Sequence, residues 1–524
     1  MTPRRALIAL IVVSGLLRVV WAATAGLGHD ESYHYLFTVH RDWSYFDHPP
    51  MLAWVEQVGT TLFGVTTPLA LRFGFCLLFA GSTYLMFQIA SRAFGERVGF
   101  LAALGLNVSA YHTAAAGAFA LPDGPLLFFW LLTIDRIDLA LRDENSLLGW
   151  LWVGLAWGGA MLSKYHGIFL PAGLVVYILI TPKSRGLLLK PGPYLATIIG
   201  SAMFAPVLWW NAKHGWASFV FQGGRAVANA GFNPLALFGS FAGSALYLFP
   251  WIWIAMLIGL YQTVRRWLRH ETSDSERLLM SQSMTPLILF SMVASVRPIL
   301  PHWTLVAYLS VYPLLGRLWA ERLDLAPVKF RRKLIVAGAV PVAVASLMVF
   351  QYHSGFIPMN KLVKKPDEAV RADPTAELYG WEQIATELKV RGLLEEKNNF
   401  LFTSNWFLSG HVGYITRGSG VPVTCYNPGD ARGFAFWSDP DQWLGRDGIL
   451  VSFQDPRIEP ACYKGYFDSI ENITSFPIMR EGKAIRTVHL YRCKRQTQPF
   501  PYIYQSGPRP RSLAQMAELA RQRK

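Results

Sequence analysis

Along the chain, apolar residues arrive in long blocks separated by short polar clusters. A helix crosses the hydrocarbon layer of a bilayer with about 20 mostly apolar residues, each rising about 1.5 Å. By that measure the blocks predict spans over approximately 6–26, 68–91, 98–117, 122–141, 147–163, 166–182, 193–211, 236–262, 278–296, 303–320 and 333–352, about eleven in all. Gly and Ala dominate the stretch 98–163, as membrane helices permit where backbones approach closely. The first block follows Arg4 and Arg5 as a secretory signal would. It is nevertheless long, and no small-residue cleavage site follows it, so it reads as an uncleaved first span.

After residue 352 the pattern changes. Residues 355–500 are polar and rich in turns, and long enough for one small α/β domain. Asp373-Pro374 reads as a helix cap with proline at the first helical position, the helix continuing to about Lys397. Short β-rich runs follow at Phe400–Thr403, Val421–Cys425, Ile449–Phe453 and Thr487–Arg492. The tail 501–524, with Pro508, Pro510 and several Arg, reads as disordered. Residues 1–354 then form a membrane domain whose first outer loop covers 27–67.

Composition agrees with this division. Hydrophobic residues make up 52% of the chain and charged residues 16%, which excludes intrinsic disorder and disulfide-rich secreted classes. The net charge of +15 suggests nucleic acid at first sight, but its placement argues against that partner. Basic residues concentrate in alternate loops: Arg92 and Arg97, Arg136 and Arg142, Lys183 to Lys190, Arg265 to Arg269, and Lys329 to Lys333. The positive-inside rule makes those loops cytoplasmic and puts the C-terminal domain outside. Three of the four cysteines (Cys425, Cys462 and Cys493) lie in that domain, where an oxidising compartment allows a Cys462–Cys493 bridge. No CxxC pair or zinc-type spacing occurs.

Polar residues at a membrane edge are costly and so point to function. Five clusters stand out, and all project to the outer face. The first loop carries His29-Asp30-Glu31-Ser32-Tyr33-His34 and Tyr45-Phe46-Asp47-His48-Pro49-Pro50. Leu121-Pro122-Asp123-Gly124-Pro125 opens the fourth span, where Asp123 is either a cap or a functional carboxylate. Ser163-Lys164-Tyr165-His166-Gly167 lies between the fifth and sixth spans. Trp209-Trp210-Asn211-Ala212-Lys213-His214-Gly215-Trp216 runs on towards Arg225, and Arg297-Pro298 precedes Pro301-His302-Trp303. Carboxylates early and cations late suit a place where an anionic lipid head group meets a hydroxylated substrate.

The residues Asp30-Glu31-x-Tyr33, Tyr45 to Pro50, Pro122-Asp123 and Leu162-Ser163-Lys164-Tyr165 resemble the dolichyl-phosphate-mannose protein mannosyltransferase superfamily. Bacterial relatives of that superfamily include the lipid A aminoarabinose transferase. Trp210 to Trp216, Pro301-His302-Trp303 and Asp373-Pro374-Thr375 also look like bacterial members. Order and membrane placement carry the resemblance, which is strongest over 25–225. It implies a mainly α, polytopic GT-C fold and a sugar donor that is a polyprenyl phosphate, in keeping with the lack of a nucleotide-binding fingerprint. In the aminoarabinose branch a Lys stands where this chain has His48, and an Arg where it has Tyr33.

The mechanism so implied is a single inverting displacement, moving a hexose or pentose. The family's acidic motif maps to Asp30 and Glu31, with Asp30 as general base, and Asp123 matches the second-loop acid. His48, Lys164, Lys213, Arg225 and Arg297 would stabilise the departing phosphate, while Tyr33, Asp47, Tyr165, His214 and His302 would line the substrate. Some relatives bind a divalent metal ion and others need none. The expected partners are the donor lipid, a glycolipid or protein acceptor, and the bilayer. The expected location is a bacterial inner membrane, with the active site and C-terminal domain in the periplasm. A transporter or flippase of an anionic or lipid-linked substrate is the rival reading. No internal repeat supports it, and the polar clusters sit at one face instead of the midplane.

Overall fold

The computed structural model describes residues 1–226, 231–357, 373–454 and 459–502. The chain divides into two compact units, one of Met1–Thr24 with Trp43–Ala343 and the other of Ala25–Asp42 with Val344–Lys524. The expected outer loop 27–67 is therefore divided between them. Most of it is helical, as His29–Val39 in the second unit and Met51–Phe63 in the first. The expected tail 501–524 lies almost wholly outside the described residues.

The first unit is built of helices whose starts are legible. Thr67 Oγ1 accepts the Ala70 N–H at 3.2 Å ahead of Pro68, and Ser146 Oγ accepts that of Gly149 at 3.2 Å. Ser273 and Glu276 form a reciprocal capping box. Among the described residues four helices, Pro3–Thr24, Pro68–Phe94, Pro191–Lys213 and Pro327–Ser354, are long and apolar enough to cross a membrane; the last continues into the second unit. A fifth arises if Pro234–Leu248 and Pro250–Leu268, bent by 111° between Leu248 and Pro250, act as one.

The remaining expected blocks are shorter, broken or charged at their ends. The block 98–117 breaks at Ser109, and 303–320 is interrupted by 3-10 turns. The block 122–141 is the helix Asp123–Ala140, whose Asp135 and Asp138 lie near its end. Both are paired with Arg92, Asp138 at 2.9 Å and Asp135 at 2.5 Å, and Asp135 also with Arg136. Small residues let neighbouring helices meet: a Cβ at Gly200 would lie 2.1 Å from the Trp157 ring, so glycine makes the socket for that indole. Trp130, Trp150, Met86, Leu127 and Tyr312 are fully buried at the centre.

The second unit holds a five-stranded sheet in the order β2-β1-β3-β5-β4. These strands are β1 (Asn399–Thr403), β2 (Val423–Cys425), β3 (Asp447–Ser452), β4 (Phe467–Arg480) and β5 (Lys483–Gln496). β1 runs parallel to β2 and β3, whereas β5 is antiparallel to β3 and to β4. All five β1 positions are buried, as a strand covered on both faces requires. β4 was missed by the sequence reading because its inner and outer positions alternate irregularly and Pro477 interrupts it.

Two expectations are corrected here. Asp373 does not cap a long helix. Its carboxylate accepts the Thr375 N–H and hydroxyl (2.9 and 2.6 Å) and pairs with Arg480 at 2.9 Å, which turns the chain instead. The helix begins only at Trp381, after Gly380 in the left-handed region (φ 84°), and ends at Val390. All four cysteines are buried and no disulfide forms among the described residues, so the expected Cys462–Cys493 bridge is absent. Cys493 instead sits inside β5, its backbone in register with Gly448 and Ile470.

Candidate active site

The expected site residues fall into two groups, one in each unit. In the first unit Asp123 opens its helix directly after Pro122, and the turn is closed by the Gly124 N–H to Leu121 O bond (3.0 Å). Lys164 sits where the helix Leu147–Ser163 stops, its backbone extended at φ −160°. The following turn Tyr165–Ile168 folds back so closely that a Cβ at Gly167 would lie 2.8 Å from the Ala160 carbonyl carbon. Trp157 Nε1 donates to Gly167 O at 3.0 Å and fixes that return. Lys164 Nζ thereby donates to both Asp123 oxygens, at 2.9 and 3.0 Å. The two side chains are only 8% and 16% exposed, so this ion pair is shielded from water.

Histidines surround the pair. His302 and His166 lie within electrostatic reach of Asp123, and His48 and Lys164 within reach of His166. The His302 ring faces Tyr111 with centroids 6.0 Å apart. A cavity of about 20 Å³, room for one water, is lined by Asp123, Tyr111, His112, Leu126 and Leu305. His112 is buried there, its Nδ1 2.9 Å from the Tyr312 hydroxyl. Tyr165 neighbours Asp47, Ser218 and Asn211. The Tyr45–Pro50 loop is tied down by Ser218 Oγ on Tyr45 O (3.3 Å) and Gln222 Nε2 on Asp47 O (2.9 Å). Asp47 is buried and His48 half-buried.

Two expected phosphate ligands, Lys213 and Arg297, and the expected substrate residue His214 each have protein partners. Lys213 is exposed with its ammonium 3.8 Å over the Trp209 ring, a cation–π contact. His214 stacks on Trp210 at 4.0 Å and closes the end of its helix. Arg297 donates to Gly224 O at 3.1 Å. The Arg225 side chain lies outside the described residues. The sequence reading passed over Arg18, although an arginine within a span is itself a signal. Arg18 is buried, donates to Ser14 O at 2.8 Å and lies 3.9 Å over the Phe79 ring.

In the second unit the helix His29–Val39 starts at Gly28, whose N–H donates to Glu31 Oε2 at 2.8 Å. Glu31 is thereby buried and used as a cap, while Asp30, one residue earlier, is exposed. Among the described residues the Asp30 carboxylate has no hydrogen-bond partner. Tyr33 is fully buried among Trp406, Trp437 and Phe37, and its hydroxyl accepts the Gly433 N–H at 3.0 Å.

His29 Nδ1 lies 2.9 Å from His411 Nε2, and the His411 ring stacks on Trp381 at 3.6 Å. Burial, with the Arg486 charge added, pushes His29 down to about 3. Burial, His29 and Arg486 hold His411 well below the usual range. Both imidazoles are therefore neutral near pH 7, and one donates to the other. Glu377, which no local pattern marks, is pushed up to about 7 by burial and by the charges of Asp30 and Glu31. No group of three or more His, Cys, Asp or Glu among the described residues is arranged to hold a metal ion.

The sequence profile of the dolichyl-phosphate-mannose-protein mannosyltransferase family matches residues 47–210. The fold matches that of ArnT from Cupriavidus metallidurans with a TM-score of 0.63 at 17% identity, covering 94% of this chain and 98% of that one. The chain therefore has the GT-C fold of ArnT. The ArnT structure bound to undecaprenyl phosphate gives a TM-score of 0.62 at 17% identity over 92% of this chain and 97% of that one. A lipid A galacturonosyltransferase of Rhizobium johnstonii is 26% identical over 54% of this GT-C chain and 58% of its own length. The undecaprenyl phosphate-alpha-4-amino-4-deoxy-L-arabinose arabinosyl transferase of Erwinia tasmaniensis is 25% identical over 52% of this chain. The match spans 50% of that relative, so this GT-C protein aligns with about half the length of both. The mainly helical fold with a small C-terminal sheet domain, expected from the sequence, is the fold observed.

Proposed function

We propose that this protein is a membrane glycosyltransferase that moves a sugar from a polyprenyl-phosphate donor to a hydroxyl of an envelope glycolipid of the lipid A type. The observation that carries the reading is the shielded Asp123–Lys164 pair ringed by His48, His166 and His302, within a GT-C fold. A lysine held in place by a carboxylate, with imidazoles beside it, can meet a phosphate and share its charge as that phosphate leaves. The names of the relatives, a lipid A galacturonosyltransferase and an arabinosyl transferase using undecaprenyl phosphate, point to the same donor and acceptor class.

Asp30 is the base in this reading. It is exposed at a helix start, and among the described residues no hydrogen-bond partner occupies its oxygens. It takes the proton of the acceptor hydroxyl as that oxygen attacks the anomeric carbon, and the phosphate departs from the opposite side, inverting that centre. Glu31 orients the helix start by its bond to Gly28. The protein resides in a bacterial inner membrane with its second unit in the periplasm, as the basic loops imply.

The test compares lipid A and other glycolipids, by mass spectrometry, from cells with and without the gene. Loss of one sugar substituent on deletion, restored by the gene, is expected and identifies the sugar. Unchanged glycolipids and glycoproteins in the deletion strain would refute the reading.

A further inference from the structure

Glu377 precedes the helix Trp381–Val390 in the second unit, in the short turn Ala376–Leu378. That turn is pressed against the entry to the acidic helix. A Cβ at Gly26 would lie 2.1 Å from Leu378 O, and one at Gly28 would lie 3.3 Å from Glu377 Oε1. The Gly26 N–H donates to the Tyr352 hydroxyl at 3.1 Å, and Trp381 Nε1 donates to Glu377 O at 2.7 Å. Glu377 Oε2 comes within 3.9 Å of His29 Nε2, and His29 is itself held by His411. A carboxyl contributed from more than 300 residues further along the chain is thus fixed beside the helix start that carries Asp30.

We propose that Glu377 is a positioning residue of the transfer reaction, its carboxyl set beside the Gly28–His29 helix start so that its charge acts on Asp30. The inference rests on the transferase reading above. The groups that face it are His29, Asp30 and Glu31 from the acidic helix, with His411 and Arg486 behind His29. Because His29 is neutral, the 3.9 Å approach is not an ion pair and does not fix Glu377 as an anion. When Glu377 loses its proton, a third negative charge joins Asp30 and Glu31. That charge stabilises the proton as it leaves the acceptor hydroxyl in the transition state. Glu377 itself neither touches nor exchanges atoms with the substrate.

The experiment measures transfer by the purified full chain from about pH 5.5 to about pH 8.5, for the native protein, Glu377→Gln and Glu377→Asp. The native kcat is expected to rise about threefold or more through neutral pH, with donor KM little changed. Glu377→Gln should lack that rise, and Glu377→Asp should restore it. A purely structural role would lower the rate equally at every pH and leave the shape intact; superimposable normalised profiles therefore overturn the inference alone. No transfer by any form at any pH overturns the transferase reading and this inference together.

Thermal unfolding supplies a readout independent of transfer. A carboxyl raised in the folded state contributes stability that is present at low pH and lost as pH rises from its ordinary value, about 4.3, to about 7. The native protein should lose stability relative to Glu377→Gln across that window, and Asp30→Asn should move the window to lower pH. A native-to-Gln difference constant with pH overturns the proposal.

Discussion

Removing the lysine from the Asp123–Lys164 pair leaves a carboxylate in a site that water barely reaches. Lys164 Nζ contacts both Asp123 oxygens, and the side chains are 8% and 16% exposed. Lys164→Met keeps nearly the same volume and deletes only the charge and its hydrogen bonds. Breaking a buried pair from one side costs about 3 to 5 kcal/mol, because the surviving charge stays buried. Asp123→Asn should cost a similar amount by stranding the ammonium. The double variant should be more stable than the sum of the two losses predicts, with a coupling of about 2 to 3 kcal/mol. Equilibrium unfolding of the detergent-solubilised protein reads all four forms. It is best done at about pH 8, above the ordinary histidine range. A Lys164→Met loss below about 1 kcal/mol, as in a solvated surface pair, would refute the reasoning, as would strict additivity.

Glu31→Ala should destabilise the protein by about 1 to 2 kcal/mol through loss of the Gly28 cap, while Glu31→Gln, which can still accept that N–H, should cost less; thermal unfolding distinguishes them, and equal losses would contradict the capping role. Burial pushes Asp373 up, but the Thr375 hydroxyl and N–H, Gln351 and Arg480 outweigh it and hold the carboxyl below its usual range. Its stabilisation is therefore present above the ordinary carboxylate value, about 3.9, and lost as pH falls through it. Asp373→Asn should flatten the acid side of the stability profile, and an unchanged acid limb would show the carboxylate to be unpaired in solution. A phosphatase fused at roughly residue 400 should be active outside the cytoplasm if the basic loops set the orientation; activity only of a cytoplasmic reporter at that point would reverse the topology.

The fold was legible where a physical period or cap shows in the sequence. Apolar blocks located several helices of the first unit to within a few residues, helped by the Pro-led starts at Pro68, Pro191 and Pro234, but 98–117 and 303–320 are broken and Met51–Phe63 lay in no block. The bend between Leu248 and Pro250 was not legible, because both flanking helices are apolar and no charge marks the break. Asp123 and Lys164 were each visible as misplaced charges, but their pairing joins residues 41 positions apart and leaves no local trace. The partners of Lys213, His214 and Arg297, an indole for the first two and a backbone carbonyl for the third, were not legible from charge alone. Glu377 was invisible as well. Burial first, and then the charges of Asp30 and Glu31 from the far end of the chain, raise its proton affinity, and neither shows in the local sequence.

The account stands most directly on transfer by Asp30→Asn. Purified protein in lipid, supplied with a polyprenyl-phosphate sugar and lipid A, should move the sugar to the acceptor when native. Asn keeps the shape of Asp30 but cannot take the acceptor's proton, so the variant should be about 10² to 10⁴ times slower. Its thermal stability should be near native, since Asp30 is exposed and holds no hydrogen bond. Near-normal turnover by Asp30→Asn would contradict the account and move the base to Asp123 or Asp47.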